Sequence, residues 1–254
     1  MKRVPCRGGL RPACGGSVIA LGVAGLISMG SFGCGLLDLE SFRGITFSLP
    51  EKSYAVDTAD PKWKTPPSGT APTVTCGPGR ATQDCCALPE PLSSTFAIDC
   101  QKYPLVCWNG QCAFQFTFEM DSLVDLKKEV PQLASTATSA LSDIVLKNIK
   151  ITLNNGLNIP LPPIEVFVAP QDAASGADPR AKKIAVVPAH PAGFMGTETY
   201  EVDAAGQAAF SQFATNFQTP FKVIARTLVT IEAGQSAPSG KATAKIGGQV
   251  EAKI

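Results

Sequence analysis

The sequence is poor in charge and in histidine. Only 17% of its 254 residues are Asp, Glu, Lys or Arg, the formal net charge at pH 7 is +1, and there is one His. This charge balance offers no basic surface for nucleic acid. The lone histidine, His190, cannot build a multi-His metal site. Because Pro188 and Pro191 flank it closely, we interpret His190 as a rigid loop residue with a structural role.

The signatures of common enzyme classes are also missing. The sequence contains no P-loop, no Gly-rich dinucleotide fingerprint, no HExxH helix and no EF-hand loop. No Ser or Cys motif near His190 suggests a catalytic triad. Asp121, Asp125 and Glu129 lie four residues apart, a spacing typical of the solvated face of a helix. We therefore predict a protein that is not an enzyme and that holds neither a metal nor a cofactor.

Apolar residues and turn formers are abundant. Hydrophobic residues make up 44% of the chain, which is sufficient for a folded core, and 23 Gly with 21 Pro favour turns over long helices. The first 33 residues have the pattern of an export signal. A basic start without acidic residues precedes the apolar stretch Ser17–Phe32, whose 16 residues are fewer than the roughly 20 that a membrane-spanning helix needs. This pattern predicts a cleaved signal peptide, residues 1–33.

The junction Ser31-Phe32-Gly33-Cys34 resembles the lipobox of bacterial lipoproteins, in which a cysteine becomes the first mature residue and carries lipid. Gly33 fits the position before the cysteine, whereas Ser31 stands where the family usually has Leu. The resemblance implies fatty acylation (palmitate) of Cys34 and a lipidated tether over residues 34–43. Because Gly35 is not Asp, it also implies sorting to the outer membrane of a Gram-negative envelope.

Two alternatives to lipidation stay open. Cleavage after Gly33 alone would give a soluble secreted or periplasmic protein, and no cleavage would leave an anchor. The cysteine count favours lipidation. Of the nine cysteines, Cys6 and Cys14 leave with the signal, so that acylation of Cys34 leaves six, an even number for pairing.

Six cysteines fall within residues 76–112, which we predict to be a cystine-rich insertion in the mature domain. They are Cys76, Cys85, Cys86, Cys100, Cys107 and Cys112. In an exported chain this density is typical of a disulfide framework. A zinc site is the alternative, but its usual C-x₂-C spacing is absent.

One disulfide can be predicted from geometry. Cys107 and Cys112 flank a Trp-Asn-Gly-Gln turn, and Asn-Gly is the strongest short signal for a two-residue hairpin. The two cysteines would then form a non-hydrogen-bonded pair with Cα atoms about 4.5 Å apart, within the reach of a disulfide. We therefore predict the bridge Cys107–Cys112. The adjacent cysteines 85 and 86 should take two different partners, Cys76 and Cys100.

Alternation of apolar and polar residues predicts about eight strands. In the clearest of them, every second residue from Ala242 to Ile254 is apolar or glycine. One buried and one solvated face is typical of an antiparallel sheet. We predict a mainly β fold over residues 44–254, an antiparallel β-sandwich with one or two accessory helices. The other strands are predicted at 44–50, 113–119, 145–153, 164–169, 183–188, 197–202 and 221–232.

Two segments carry a helical pattern. The first lies within 121–143, and the second begins after Asp203, a suitable N-cap. In the second, Phe210, Phe213 and Phe217 fall on one stripe. Such a stripe usually packs over the open face of a sheet, although it could also face a ligand.

Two function classes follow from the sequence. The first is a non-catalytic cell-envelope lipoprotein, a structural or partner-binding module that is anchored in the membrane through Cys34 and binds another envelope component. The second is a periplasmic carrier of an apolar ligand held between the sheet and the Phe210–Phe217 helix. A large cavity under that helix would favour the carrier, and a close-packed interior would favour the module.

Overall fold

Antiparallel strands account for most of the residues that the structure describes, which confirms the predicted mainly β class. A computed structural model describes residues 45–63, 70–71, 73–77, 85, 105–130 and 143–253. The strands are β1 (Ile45–Asp57), β2 (Leu105–Trp108), β3 (Gln111–Val124), β4 (Asp143–Leu157), β5 (Ile164–Pro170), β6 (Lys182–Val187), β7 (Met195–Glu201), β8 (Phe221–Ile231) and β9 (Gly240–Lys253). The helices are α1 (Leu126–Glu129) and α2 (Ala204–Ala214), besides a 3₁₀ turn at Pro61–Trp63.

The strands form two antiparallel sheets. One has the order β1-β9-β4-β7, and the other has the order β2-β3-β8-β5-β6. Buried side chains from both sheets belong to one apolar cluster, so the sheets pack face to face as the predicted β-sandwich. Nine strands and two helices lie within the described residues, close to the predicted eight strands and one or two helices.

Strand β9 has the alternation expected from the sequence. Its even-numbered residues from Ala242 to Ala252 are buried, while Lys241, Thr243 and Lys245 are exposed. This pattern places one face of the sheet against the core and the other in water. The even-numbered residues keep this phase through Gly248, although Gly247 is buried as well, and the extra residues of the two register shifts lie outside β9.

The two neighbours of β9 carry the irregularities instead. The register shifts between Leu49 and Lys52 in β1, and between Leu146 and Asn148 in β4. Both shifts lie beside the glycine pair. A Cβ atom at Gly248 would lie 2.7 Å from the backbone oxygen of Asn148, so the close approach of β4 requires a glycine there.

Several predicted boundaries were wrong, among them the end of the strand expected to stop at Leu153, which continues as β4 to Leu157. The helix expected from residue 121 begins only at Leu126, because β3 continues to Val124 and pairs with β8 from Phe114 to that end. Hydrogen bonding to β8 outweighs the helical spacing of a few leucines. The first strand was expected to stop at Pro50 but continues to Asp57. Proline is tolerated there because β1 is an edge strand with a bulge at this point. Residues 131–142 of the first predicted helix lie outside the described residues.

Helix α2 begins where the sequence predicts. The Asp203 carboxylate accepts a hydrogen bond of 2.7 Å from the backbone N–H of Gly206. A side chain at Gly206 would collide with the carbonyl oxygen of Ile184, so this glycine allows the helix to approach β6 closely. All described residues belong to one compact unit, residues 40–254. Among the residues that the structure describes, no helix has the length and apolar character needed to cross a bilayer.

Candidate functional site

Two disulfides lie close together at one end of the sandwich, which we call the cystine end. They join Cys76 to Cys107 and Cys85 to Cys112, with Cα–Cα distances of 5.9 and 5.5 Å. The predicted disulfide framework is therefore confirmed for these four cysteines. The apolar cluster around them includes Trp63, Phe114, Phe116, Phe118, Val229 and Ile231.

The predicted pairing was wrong. Cys107 and Cys112 do not bridge each other, and Cys85 does not pair with Cys76 or Cys100. Both hairpin cysteines bond instead to cysteines that precede the hairpin in the sequence. The other five cysteines lie outside the described residues, and they include Cys34, Cys86 and Cys100, for which lipidation or pairing is predicted.

The hairpin itself has the geometry that the sequence predicts. Asn109 and Gly110 both have positive φ, 50° and 77°, as a type I′ turn requires. Cys107 and Cys112 are direct cross-strand partners. The predicted Cys107–Cys112 bridge does not form, because Cys76 and Cys85 bond to the same two sulfurs. The geometry of the hairpin alone does not reveal these partners.

Backbone hydrogen bonds place that competing segment. The N–H of Cys76 donates to the carbonyl oxygen of Gly110 at 2.9 Å, and the N–H of Cys112 donates to that of Val74 at 2.8 Å. Thr75 forms an isolated bridge with Gln111. The segment therefore lies along the start of β3, with the Cys76 side chain beside the hairpin sulfurs.

Three of the four sulfurs form one buried cluster. The Sγ atoms of Cys76, Cys85 and Cys112 lie within 4.8 Å of one another, and these residues are 5%, 0% and 2% exposed. Cys107 is the partly exposed member of the two bridges. Disulfide sulfurs carry no thiolate charge, so the cluster could hold a metal only after reduction. Oxidised, it is suited to thiol–disulfide exchange.

The aromatic stripe of α2 is mostly core. Phe210 is 0% exposed. Phe217 is 4% exposed, but it lies in the turn after α2, because the helix ends at Ala214 and not at Phe217 as predicted. The ring of Phe210 meets that of Phe221 edge-on, with centroids 5.9 Å apart. Phe213 is only half-buried, and its ring centroid lies 6.2 Å from that of Phe221. The space between helix and sheet is thus occupied by the protein's own side chains.

Two cavities bear on the carrier alternative. A void of about 30 Å³ lies between the sheets, room for roughly one or two waters; its lining includes Tyr54, Phe118 and Ile246, away from α2. An open groove of about 530 Å³ lies outside α2, lined by apolar Phe213 and Phe221 together with polar residues. Its size is that of a small-molecule site.

His190 is buried, as a structural residue would be. Its ring stacks on Phe194 with centroids 4.3 Å apart, and its backbone exchanges hydrogen bonds with Leu161. Its Nε2 atom has no hydrogen-bond partner and lies 3.6 Å from Oε2 of Glu198. That distance is too long for a hydrogen bond but short enough for an ion pair when the imidazole is protonated.

The same carboxylate accepts a hydrogen bond from the hydroxyl of Tyr200. Burial, and then this bond to Glu198, raise the pKa of Tyr200 to about 12. The sequence analysis did not predict that His190, Glu198 and Tyr200 lie together. The only signal was that Glu198 and Tyr200 stand at alternate positions of a predicted strand and therefore share a face.

The three acidic residues at four-residue spacing do not form a catalytic pair. Asp121 lies on β3, and its carboxylate is 2.9 Å from the ammonium group of Lys222. Glu129 ends α1, and its carboxylate is 2.7 Å from the ammonium group of Lys52. Asp125 caps α1 by accepting a hydrogen bond from a backbone N–H. Each carboxylate is thus occupied by a structural contact.

No family model and no curated protein matches this chain. The solved structures similar to it include two plant viruses. One is Desmodium yellow mottle tymovirus, 12% identical, covering 59% of this chain and 81% of that chain with a TM-score of 0.24. Another is turnip yellow mosaic virus, 10% identical, covering 56% and 92% with a TM-score of 0.19. Similarities at these TM-scores carry no argument about function.

Proposed function

We propose that this protein is a non-catalytic lipoprotein of the bacterial cell envelope, held at the outer membrane by acyl chains on Cys34. The observation that carries the proposal is the pair of buried disulfides at the cystine end. Such bonds persist in oxidising compartments and are rare in the cytosol. They support the export that the pattern of residues 1–33 predicts.

The packing of the domain supports a structural or partner-binding module. The aromatic stripe of α2 fills the core, and the void between the sheets is too small for an acyl chain. On the outer face of the five-stranded sheet, ion pairs such as Glu119–Arg226 lie between the exposed side chains of Leu123 and Leu228. A non-obligate interface is about as apolar as the rest of a protein surface, so a mixed face of this kind is compatible with partner binding.

Metabolic labelling with an alkyne fatty acid tests the anchor. We expect label on the wild-type protein in the membrane fraction, and loss of label with release into the soluble fraction in Cys34→Ala. Cys14→Ala is the matched control and should keep its label, because it removes a cysteine that leaves with the signal. Absence of label from the wild type would overturn the lipoprotein proposal.

The carrier of an apolar ligand is a second candidate, favoured by the groove beside Phe213 and not by the space under the helix. The groove combines apolar walls with a polar rim, as ligand sites commonly do. Titration with 1-anilinonaphthalene-8-sulfonate tests it. A carrier should bind the dye, Phe213→Ser should weaken that binding, and Gln207→Ala, on the same helix but outside the groove, should not. Equal binding by all three would refute a site at Phe213.

A further inference from the structure

We propose that the cystine end is a thiol-exchange site, at which a low-molecular-weight thiol converts the two bridges into the alternative pair Cys107–Cys112 and Cys76–Cys85. The proposal rests on the placement of four sulfurs and does not depend on the lipid anchor. It gives the hairpin cysteines two sets of partners within one fold.

The geometry allows both pairings. Cys107 and Cys112 are directly opposite each other across β2 and β3, and a non-hydrogen-bonded cross-strand pair is close enough for a disulfide. The Sγ atoms of Cys76 and Cys85 lie within 4.8 Å of each other. Each new bond therefore joins residues that already lie side by side, and side-chain rotations can replace a rearrangement of the sheet.

The reaction starts at Cys107, because it is partly exposed while its three companions are buried. An incoming thiolate attacks Sγ of Cys107, forms a mixed disulfide there and releases Cys76 as a thiolate. The Cys76 thiolate then attacks Sγ of Cys85, which forms Cys76–Cys85 and releases Cys112 as a thiolate.

The last step returns the added thiol. The Cys112 thiolate attacks Sγ of Cys107 in the mixed disulfide, forms Cys107–Cys112 and expels the small thiolate. Two protein disulfides exist before and after, so there is no net oxidation or reduction and the thiol acts as a catalyst. The conversion removes the covalent links from the hairpin to Cys76 and to Cys85, so that the segment around Cys76 is held to the hairpin by its backbone hydrogen bonds alone.

Tryptic mapping without reduction distinguishes the two pairings, because both hairpin cysteines fall on one peptide. Cleavage after Lys64, Arg80, Lys102 and Lys127 gives peptides 65–80, 81–102 and 103–127, which carry Cys76, then Cys85 with Cys86 and Cys100, then Cys107 with Cys112. The pairing in the structure, Cys76–Cys107 with Cys85–Cys112, links peptide 103–127 to both other peptides. The alternative pairing sets it free with an internal disulfide.

The first experiment treats the full-length protein with reduced glutathione without oxygen, followed by acid quenching and mapping. We expect free peptide 103–127 with an internal disulfide to appear only after glutathione treatment, together with a link between 65–80 and 81–102. Unchanged links, or reduction of the bridges without the new pair, would overturn the proposal.

Single variants test the same chemistry without added thiol. Cys85→Ser leaves Cys112 as a thiol opposite Cys107, and Cys76→Ser leaves Cys107 as a thiol opposite Cys112. Both variants should give the internal bridge of peptide 103–127. Cys112→Ser is the matched control: it leaves Cys107 without a cross-strand thiol, so peptide 103–127 should carry no internal disulfide, whether Cys76 stays bonded to Cys107 or passes to the freed Cys85.

Circular dichroism separates exchange from misfolding in these variants. The proposal expects the wild-type β spectrum together with the new bridge. A folded Cys85→Ser protein that keeps Cys76–Cys107 and a free Cys112 would contradict it. If a variant does not fold, the glutathione experiment on the wild-type protein still tests the proposal.

Discussion

Asn155 shows how one buried polar side chain extends a strand beyond its predicted end. It is 0% exposed. Its amide donates to the carbonyl oxygens of Ile159 and Pro191 at 3.1 and 2.9 Å, and its side-chain oxygen accepts from the N–H of Leu157 at 3.2 Å. The Asn-Asn-Gly sequence predicts a turn here, yet β4 continues, because these bonds satisfy the buried amide.

We expect Asn155→Ala to lower the free energy of unfolding by about 2–3 kcal/mol, because it leaves buried backbone groups without partners. Urea denaturation followed by tryptophan fluorescence measures the loss. Exposed Asn158→Ala, whose amide donates to the carbonyl oxygen of Ala237, is the comparison and should lose less. Similar losses would show that burial of the amide is not the cause.

The glycine pair of β9 provides a second test at the scale of single residues. A Cβ atom at Gly248 would meet the Asn148 backbone oxygen, whereas one at Gly247 would first meet the flexible side chain of Glu51 at 3.1 Å. We expect Gly248→Ala to cost about 2 kcal/mol through overpacking and Gly247→Ala to cost much less. Thermal unfolding of the two variants decides the matter, and equal melting temperatures would contradict the argument.

At the scale of elements, α2 is positioned by its N-cap, by Gly206 and by its buried phenylalanines. The stripe of aromatic residues indicates a helix with one apolar face, but only packing shows that this face is filled by the protein itself. The sequence alone therefore could not distinguish a structural stripe from a ligand site.

We expect Asp203→Ala to destabilise the protein by about 1 kcal/mol, because the N–H of Gly206 loses its acceptor. Asp203→Asn keeps an acceptor and should be close to wild type. Chemical denaturation measures both variants. An alanine variant as stable as the wild type would show that the cap does not hold the helix start.

The loop between β5 and β6 is held by an arginine clamp. Arg180 donates to the carboxylates of Asp172 and Asp178. Hydrogen bonds from the Arg180 side chain, and then from its backbone N–H, lower the pKa of Asp178 to about 2. The loop lies over Ile224 and Phe167 on the outer face of the five-stranded sheet.

This pKa predicts a specific pH dependence. Since the pKa of Asp178 is lower in the folded chain than the ordinary value of about 3.9, its stabilising effect is present above that value and is lost as the pH falls through about 2. A carboxyl NMR titration should find this midpoint, and Arg180→Gln should raise the pKa of Asp178. In Asp172→Asn the clamp on Asp178 remains, so the midpoint should stay low.

At the scale of the whole molecule, the two largest apolar clusters of the described residues are stabilised in different ways. One lies between the sheets and under α2, and the other lies at the cystine end. Disulfides supplement a small core by restricting the unfolded chain. The cystine end therefore depends on oxidation more than the α2 end does.

We expect the double variant Cys76→Ser/Cys107→Ser, which keeps Cys85–Cys112, to lower the free energy of unfolding by about 2–5 kcal/mol. Hydrogen exchange should accelerate more at Leu105 and Phe114 than at Phe210, because local opening of the cystine end adds to the loss of global stability. Uniform acceleration over the whole domain would show that the two clusters do not differ in their dependence on the bridge.

The sequence by itself determined the fold class, most strands, the Asn-Gly hairpin and the cap of α2. These features depend on neighbours a few residues apart, as in the alternation from Ala242 to Ala252. Even the cross-strand meeting of Cys107 and Cys112 follows from the turn between them.

Only the tertiary structure decided which cysteines bond, where β3 and β4 end, and whether the α2 stripe faces a ligand. Each of these outcomes depends on a partner distant in sequence: Cys76 for the hairpin, β8 for β3, Pro191 for Asn155, and Phe221 for Phe210. A local pattern shows what a segment can pair with. The choice among competing partners is made by the packing of the whole domain, where burial and hydrogen bonding are satisfied together.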